Sequence, residues 1–341
     1  MRIDLKSMKF NELEDMIVSL GEKKFRAAQI YPNIFKNIKS IDDINNIPKS
    51  MKEKLRDLVY ISDCSIYQKL ESKIDDTKKY LLELEDKNIV EAVLMKYKHG
   101  YSICISSQVG CRMGCSFCAS TIDGLVRDLT AGEMIAQIMA VQADIGERIS
   151  NVVIMGSGEP FDNYDNLIRF LEVVHQPLGL NIGYRHITVS TCGIVPKIYE
   201  LAKLDIPVNL AISLHETDSD KRLLIMPVEK AYNMESVIKA AKHYADTTKR
   251  RVTFEFAVIK GMNDSKESAL KLAKLLRGIM CHVNIIPVNP VKETGYKRPD
   301  EDSLYLFQKV LQDNNINATI RREMGKDING ACGQLRRSVA K

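Results

Sequence analysis

The chain has 341 residues, 45% of them hydrophobic, enough for one large α/β domain with a smaller appendage and a sizeable core. No N-terminal run joins a basic head to a long apolar stretch and no run of about 18 apolar residues occurs, so a signal peptide and a membrane span are not expected and a cytoplasmic protein is. A net charge of +5 is only mildly basic, and eight cysteines in a reducing compartment point to metal binding or catalysis before a disulfide framework.

Phe10 to Leu20, Phe25 to Phe35 and Met51 to Val59 carry the apolar spacing of helices, with Pro48 ahead of the third. They form a small helical appendage. Strand-like runs follow at Lys79 to Leu84, Ile89 to Tyr97 and Tyr101 to Ser107, parted by charged or glycine-containing turns. Beyond Cys118 a helix carries Met134, Ile135, Ile138, Val141 and Ile145 on one face behind a Thr130/Glu133 capping box. Strand Val152 to Met155 then precedes helix Tyr164 to Val174, strand Ile187 to Ser190 precedes Val195 to Leu204, and strand Val208 to Leu214 precedes Met234 to Tyr244. Strand Val252 to Ile259 leads to helix Ser265 to Arg277, where Asp264 and Glu267 read as a second capping box. Strand His282 to Pro287, helix Ser303 to Asn314 and strand Asn317 to Arg321 close the series. About six alternations argue for a parallel sheet curled into a full or partial βα barrel.

Residues 104 to 118, C-I-S-S-Q-V-G-C-R-M-G-C-S-F-C, hold four of the eight cysteines. Cys111, Cys115 and Cys118 stand in C-x3-C-x2-C spacing, with Gly110 and Gly114 freeing the backbone to wrap an ion or cluster. A closed zinc site takes four ligands, whereas three thiolates on a four-iron cluster leave one iron open. Spacing alone also allows a zinc knuckle completed by Cys104 or a histidine, and with it a non-catalytic RNA-binding module.

The triplet, with Phe117 before its last cysteine, resembles the signature of radical S-adenosylmethionine enzymes. That resemblance implies a [4Fe-4S] cluster on Cys111, Cys115 and Cys118. S-adenosylmethionine would chelate the open iron and be split to a 5'-deoxyadenosyl radical within a partial (βα)6 barrel. In the same frame M-G-S-G-E-P, residues 155 to 160, resembles the GGEP-like motif that holds the amino group of S-adenosylmethionine, giving roles to Gly158 and Glu159. Ser190, Ser213, Leu214, His215 and Asn289, at or beyond strand ends, are the further candidates for binding that cofactor.

Near the C-terminus D-I-N-G-A-C-G-Q-L sets Cys332 among small residues, as a closely approached thiol requires. The segments C-I-S-S-Q-V-G-C-R-M-G-C-S-F-C, M-G-S-G-E-P, A-I-S-L-H, I-I-P-V-N-P and D-I-N-G-A-C-G-Q-L together resemble the radical methyltransferases that act on adenine C2 in 23S rRNA and tRNA. The resemblance implies a ping-pong reaction at adenine 2503 of 23S rRNA and adenine 37 of tRNA, with two S-adenosylmethionine molecules per turnover. Cys332 would carry the methyl group, a thioether would link RNA to protein, and Cys104 would resolve it by forming a disulfide. Glu91, a charged residue in the apolar run I-V-E-A-V, matches the family's proton acceptor, and Glu91 and Cys104 are both candidates to take the C2 proton. The related C8-methylating resistance enzymes share the cysteines, but Gly158-Glu159-Pro160 and I-P-V-N-P resemble the C2 group more. Cys64, Cys192 and Cys281 match no motif.

Residues 1–85 are therefore expected to form a helical accessory domain in contact with RNA, and residues 86–341 the core barrel with the methyl-carrying segment. An electron donor such as flavodoxin or ferredoxin and a monomeric state are also expected. Six Lys or Arg between Arg321 and Lys341, and the Lys249, Arg250, Arg251 knot, are candidate phosphate contacts.

Overall fold

The first sixty residues bury their apolar faces against one another. Strand β1 (Ile3–Asp4), helices α1 (Phe10–Ser19), α2 (Arg26–Ile34) and α3 (Lys49–Arg56), and strand β2 (Val59–Tyr60) enclose a core that includes Leu13, Ile17, Ile30, Ile34, Met51 and Leu55. This computed structural model describes residues 2–36, 38–289 and 295–335. Asp4 ties the helical unit to the rest: its buried carboxylate accepts from the Ser62 N–H (3.0 Å) and from Ser7 Oγ (2.8 Å), and Ser7 Oγ in turn accepts from the Gly132 N–H (2.8 Å).

Strands β3 (Cys64–Glu71), β4 (Lys78–Leu84), β5 (Ile89–Tyr97) and β6 (Gly100–Cys104) run antiparallel in sequence. A hairpin of β7 (Gln108–Gly110) and β8 (Leu125–Asp128) follows, and then α4 (Ala131–Ile145), whose Thr130/Glu133 capping box is present in both directions. The alternating region comprises β9 (Ile149–Ile154), α5 (Tyr164–Val174), β10 (Ile187–Thr191), α6 (Val195–Ala202), β11 (Asn209–Ser213), α7 (Ser219–Ile225) and α8 (Met234–Thr248). It continues through β12 (Val252–Val258), α9 (Lys266–Leu275), β13 (Cys281–Pro287), α10 (Glu301–Asp313) and β14 (Ala318–Ile320). One sheet runs in the order β14-β13-β12-β11-β10-β9-β6-β5-β4-β3, parallel from β14 to β6. Residues of β9 through β13, together with Arg321 beyond β14, line one cavity, so the parallel part curls round it as a partial barrel. Helices cover the outside, burying Ile135, Leu167, Ile198, Val237, Leu272 and Phe307 against the sheet.

Three expectations change. β3 was not foreseen, because most of its side chains are exposed and the apolar alternation of a half-buried strand is missing. It and β4 are hydrogen-bonded into the barrel sheet although they precede residue 86, and the helical core ends at Ile61. At α9 the cap is Ser265, whose Oγ accepts from the Ser268 N–H (3.1 Å), while Asp264 turns back to accept from the Gly261 N–H (3.0 Å). Among the described residues no helix is long and apolar enough to cross a membrane.

Candidate active site

The hairpin of β7 and β8 follows the C-terminal end of β6 and carries the cysteine loop. Gly110 has φ +78°, and a Cβ there would overlap the Gly124 carbonyl, so only glycine lets the two arms close. The Cys111 N–H donates to Gly124 O (3.1 Å), the Ser116 N–H to Ile225 O (3.0 Å) and the Cys118 N–H to Cys115 O (3.0 Å). Cys111, Cys115 and Cys118 all line the barrel cavity. Burial pushes the Cys111 thiol up to about 12 and the Cys115 thiol well above its ordinary value, and the neighbouring cysteines add to the rise at Cys115. Three thiolates can share this place only with a cationic core between them. Three thiols are one ligand short of a closed zinc site, and the donor set suits a cluster, which spreads its thiolates over several irons and leaves one iron open.

The Gly-x-Gly-Glu-Pro loop forms the neighbouring wall. Gly158 has φ +106°, and a Cβ there would lie 2.6 Å from Gln108 Cβ and 2.7 Å from Ser107 Oγ. Glu159 is buried; its Oε2 accepts from the Cys192 N–H (2.7 Å), its Oε1 from the Phe161 N–H (3.0 Å), and burial raises its pKa against those bonds. Ser190 and Ser213 line the cavity from β10 and β11. Leu214 does not: its side chain is packed into the barrel core. His215 adopts a left-handed backbone, φ +58°, held by Asn263 Nδ2 donating to its carbonyl (2.8 Å). Its Nδ1 accepts from the Ala257 N–H (2.9 Å), which leaves the ring proton on Nε2, and the edge of Phe117 packs at 4.8 Å. Burial, then Arg222, pushes the His215 pKa down to about 3. Asn289 also lines the cavity, but its amide donates to Cys332 O (3.0 Å).

Cys332 stands where this cavity meets a second one lined by Cys104, Val93 and Met95. The C-terminal segment is clamped to the cysteine loop by the Ala119 N–H donating to Gly333 O (2.8 Å) and by Ser120 Oγ donating to Leu335 O (2.6 Å). Both thiols are free. Burial, with the charge of Cys332 next, pushes Cys104 up to about 12, while Arg321 opposes the rise. Glu91 is fully buried on β5 and paired with Lys79 Nζ (2.8 Å), which also donates to Asn329 O (3.2 Å) in the segment leading to Cys332. Glu91 and Val93 share one face of β5, but Glu91 does not line either cavity.

Several residues of the site escaped the sequence reading. Cys192, assigned no role there, lines the cavity beside Glu159. Buried Arg222 on α7, also unforeseen, donates to the carbonyls of Leu214 (3.1 Å) and Cys192 (3.0 Å) and so ties two strand ends together. Gln108 holds the Glu159 N–H (2.8 Å) and donates to Asp128 (2.7 Å). Arg321, read as a surface contact, faces the cavity; Arg336, Arg337 and Lys341 lie outside the described residues. In the second basic knot Arg250 is spent on Val208 O (3.2 Å) and Asn209 Oδ1 (2.8 Å). For Glu255 a signal existed: like Glu91, it is a lone charge in an apolar strand.

A curled parallel sheet, a three-cysteine loop after its first parallel strand and a glycine-rich Glu-Pro loop after the next define a radical S-adenosylmethionine enzyme, and the superfamily's model matches residues 105–273. The model of the ribosomal RNA large subunit methyltransferase N-terminal domain matches residues 3–61. The chain is 53% identical to a Clostridioides difficile protein named "Probable dual-specificity RNA methyltransferase RlmN" over 98% of both chains, and 54% identical to its Alkaliphilus oremlandii namesake over the same shares. A radical SAM methyltransferase crystal structure from Sphaerobacter thermophilus superposes with a TM-score of 0.93 at 38% identity, covering 98% of this chain and all of that one. The chain belongs to this family of radical S-adenosylmethionine RNA methyltransferases.

Proposed function

We propose that the chain methylates adenine C2 in 23S rRNA, at adenine 2503, and in tRNA, at adenine 37, through a methyl group carried on Cys332. The observation that carries this reading is the position of Cys332, which joins the cavity of the cluster cysteines to that of Cys104. Adenine C2 is neither nucleophilic nor acidic, so a polar displacement on a sulfonium methyl fails there and a radical route is required. Cys111, Cys115 and Cys118 would hold a [4Fe-4S] cluster which, with S-adenosylmethionine bound beside Glu159, supplies the electron and the hydrogen-abstracting radical.

The chain's own residues do the rest. Cys332, as thiolate, takes a methyl group on Sγ; that carbon gives up one hydrogen atom to the abstracting radical and then bonds to C2, linking RNA and protein by a thioether. Once the C2 proton and one electron have left the adduct, the electron passing back to the one-electron system that supplied the radical, Cys104 Sγ attacks Cys332 Sγ. The S–S bond forms, the S–C bond breaks toward carbon, and the carbon takes a proton to become the methyl group. Each turnover of this kind uses two S-adenosylmethionine molecules, a one-electron carrier such as flavodoxin or ferredoxin keeps the cluster reduced, and an external dithiol reduces the Cys104–Cys332 disulfide before the next cycle. Glu91 and Cys104 are the two candidate acceptors for the C2 proton: Cys104 lines the cavity that Cys332 shares, and Glu91, which lines neither cavity, connects to the Cys332 segment through Lys79 and the Asn329 carbonyl. Gly158, Ser190, Ser213, the backbone at Leu214 and the neutral His215 shape the pocket for the nucleoside and amino-acid ends of the cofactor.

The product distinguishes this reading. Reconstituted anaerobically and given 23S rRNA fragments or tRNA, the enzyme yields 2-methyladenosine by mass and fragment analysis of the digested RNA. Exclusive 8-methyladenosine contradicts the assignment.

A further inference from the structure

Glu255 is the only charged side chain of β12, and at 3% exposure it is withdrawn from solvent. It faces both the catalytic cavity and a polar cavity beneath it. Oε1 accepts from Asn284 Nδ2 (3.0 Å), whereas Oε2 is buried without a hydrogen-bond partner among the described residues. Arg321 Nη1 stands 3.8 Å from Oε2, near enough to feel its charge and too far for a hydrogen bond. Glu255 has given up its water, and an unmade hydrogen bond to a partly exposed arginine recovers too little of that cost. The pair is therefore poorly explained as a structural salt bridge. It suits a guest that donates to Oε2 and accepts from Arg321 at once.

Arg321 also fixes where that guest would lie. Its charge is felt by Cys332 and Cys104 as well as by Glu255, and it lines the catalytic cavity and the Cys104 cavity alike. A planar ring held on Glu255 and Arg321 would then lie beside the methyl-carrying thiol. At the six-position edge adenine sets an exocyclic N–H donor next to a ring-nitrogen acceptor. Guanine turns a carbonyl oxygen to the same place and would meet the carboxylate with like charge.

We propose that Glu255 and Arg321 together read the amino-and-ring-nitrogen edge of an adenine. This rests on the adenine-methylating function above. Two molecules of that reaction carry the same edge, the target nucleotide and the adenosine of S-adenosylmethionine, and the test separates them.

Equilibrium binding to the cluster-bearing full chain is compared for two matched pairs. One is an RNA hairpin with a single unpaired adenosine against the same hairpin with purine riboside, which lacks the 6-amino group. The other is S-adenosylhomocysteine against its purine-riboside counterpart. Removing the amino group weakens binding about 10- to 100-fold in one pair, and Glu255→Ala shrinks that gap to about twofold or less. A gap in the RNA pair assigns the edge to the substrate, and a gap in the homocysteine pair assigns it to the cofactor. Equal binding by the wild-type chain within both pairs overturns the proposal, and no folding defect can mimic that result. Methylation of the adenosine hairpin is assayed alongside. Methylation without any amino-group penalty sinks only the edge readout, whereas an unmethylated hairpin and tRNA sink the function beneath it.

Discussion

His215 is held neutral by its surroundings, and that has a cost in acid. Its folded pKa of about 3 lies below the ordinary value of 6.5, so the folded chain binds fewer protons than the unfolded chain between those limits. The stability this residue contributes is complete above pH 6.5 and drains away as pH falls toward 3, by about 2 kcal/mol between pH 6.5 and 5. Urea unfolding of the wild type and His215→Gln at both pH values should show the variant less stable at pH 6.5 and the gap closing by about that amount. A gap independent of pH contradicts the buried, neutral imidazole. Glu91 and Glu255 mark the limit of reading single residues. Both are lone carboxylates in apolar strands, but only packing sets one against Lys79 and the other against a cavity. Alternation reports the face of a strand and not what stands opposite.

At the scale of elements, close approach makes two glycines irreplaceable for different reasons. Gly132 lies in the first turn of α4, where alanine would gain about 1 kcal/mol of helix propensity, yet a Cβ there would overlap the Asp4 carboxylate that ties the helical unit to the barrel. Gly132→Ala should therefore lower thermal stability, by about 1–3 kcal/mol, and a raised Tm would contradict this docking. Gly110→Ala acts on the cysteine hairpin instead. Iron and sulfide per chain after anaerobic reconstitution should fall severalfold while the far-ultraviolet circular dichroism stays that of the wild type, and full iron loading would show that the arms close without glycine. The order of strands and helices was legible because each covering helix buries one stripe and the parallel strands are short runs rich in Val and Ile between helical patterns. β3 was not, since its residues are mostly exposed, and α7 was not, because seven residues hold too few turns for a period to show.

For the whole molecule, the sequence shows which thiols belong to motifs and the fold shows which of them meet. Cys111, Cys115 and Cys118 were legible as a trio from their spacing together with the family resemblance, but nothing local links Cys104 to a residue more than two hundred positions away. The partial barrel does so by bringing the end of β6 and the C-terminal segment to one cavity. Binding of RNA by a chain of net charge +5 should weaken as salt rises, and a logarithmic slope near zero in a titration of the hairpin would speak against phosphate contacts. The proposed division of the cysteines into a cluster-holding trio and a methyl-carrying and resolving pair is tested most directly by Cys104→Ala. With RNA, S-adenosylmethionine and reductant, this variant should accumulate an RNA–protein conjugate that survives denaturing electrophoresis and maps to Cys332; release of free methylated RNA at the wild-type rate would contradict the account.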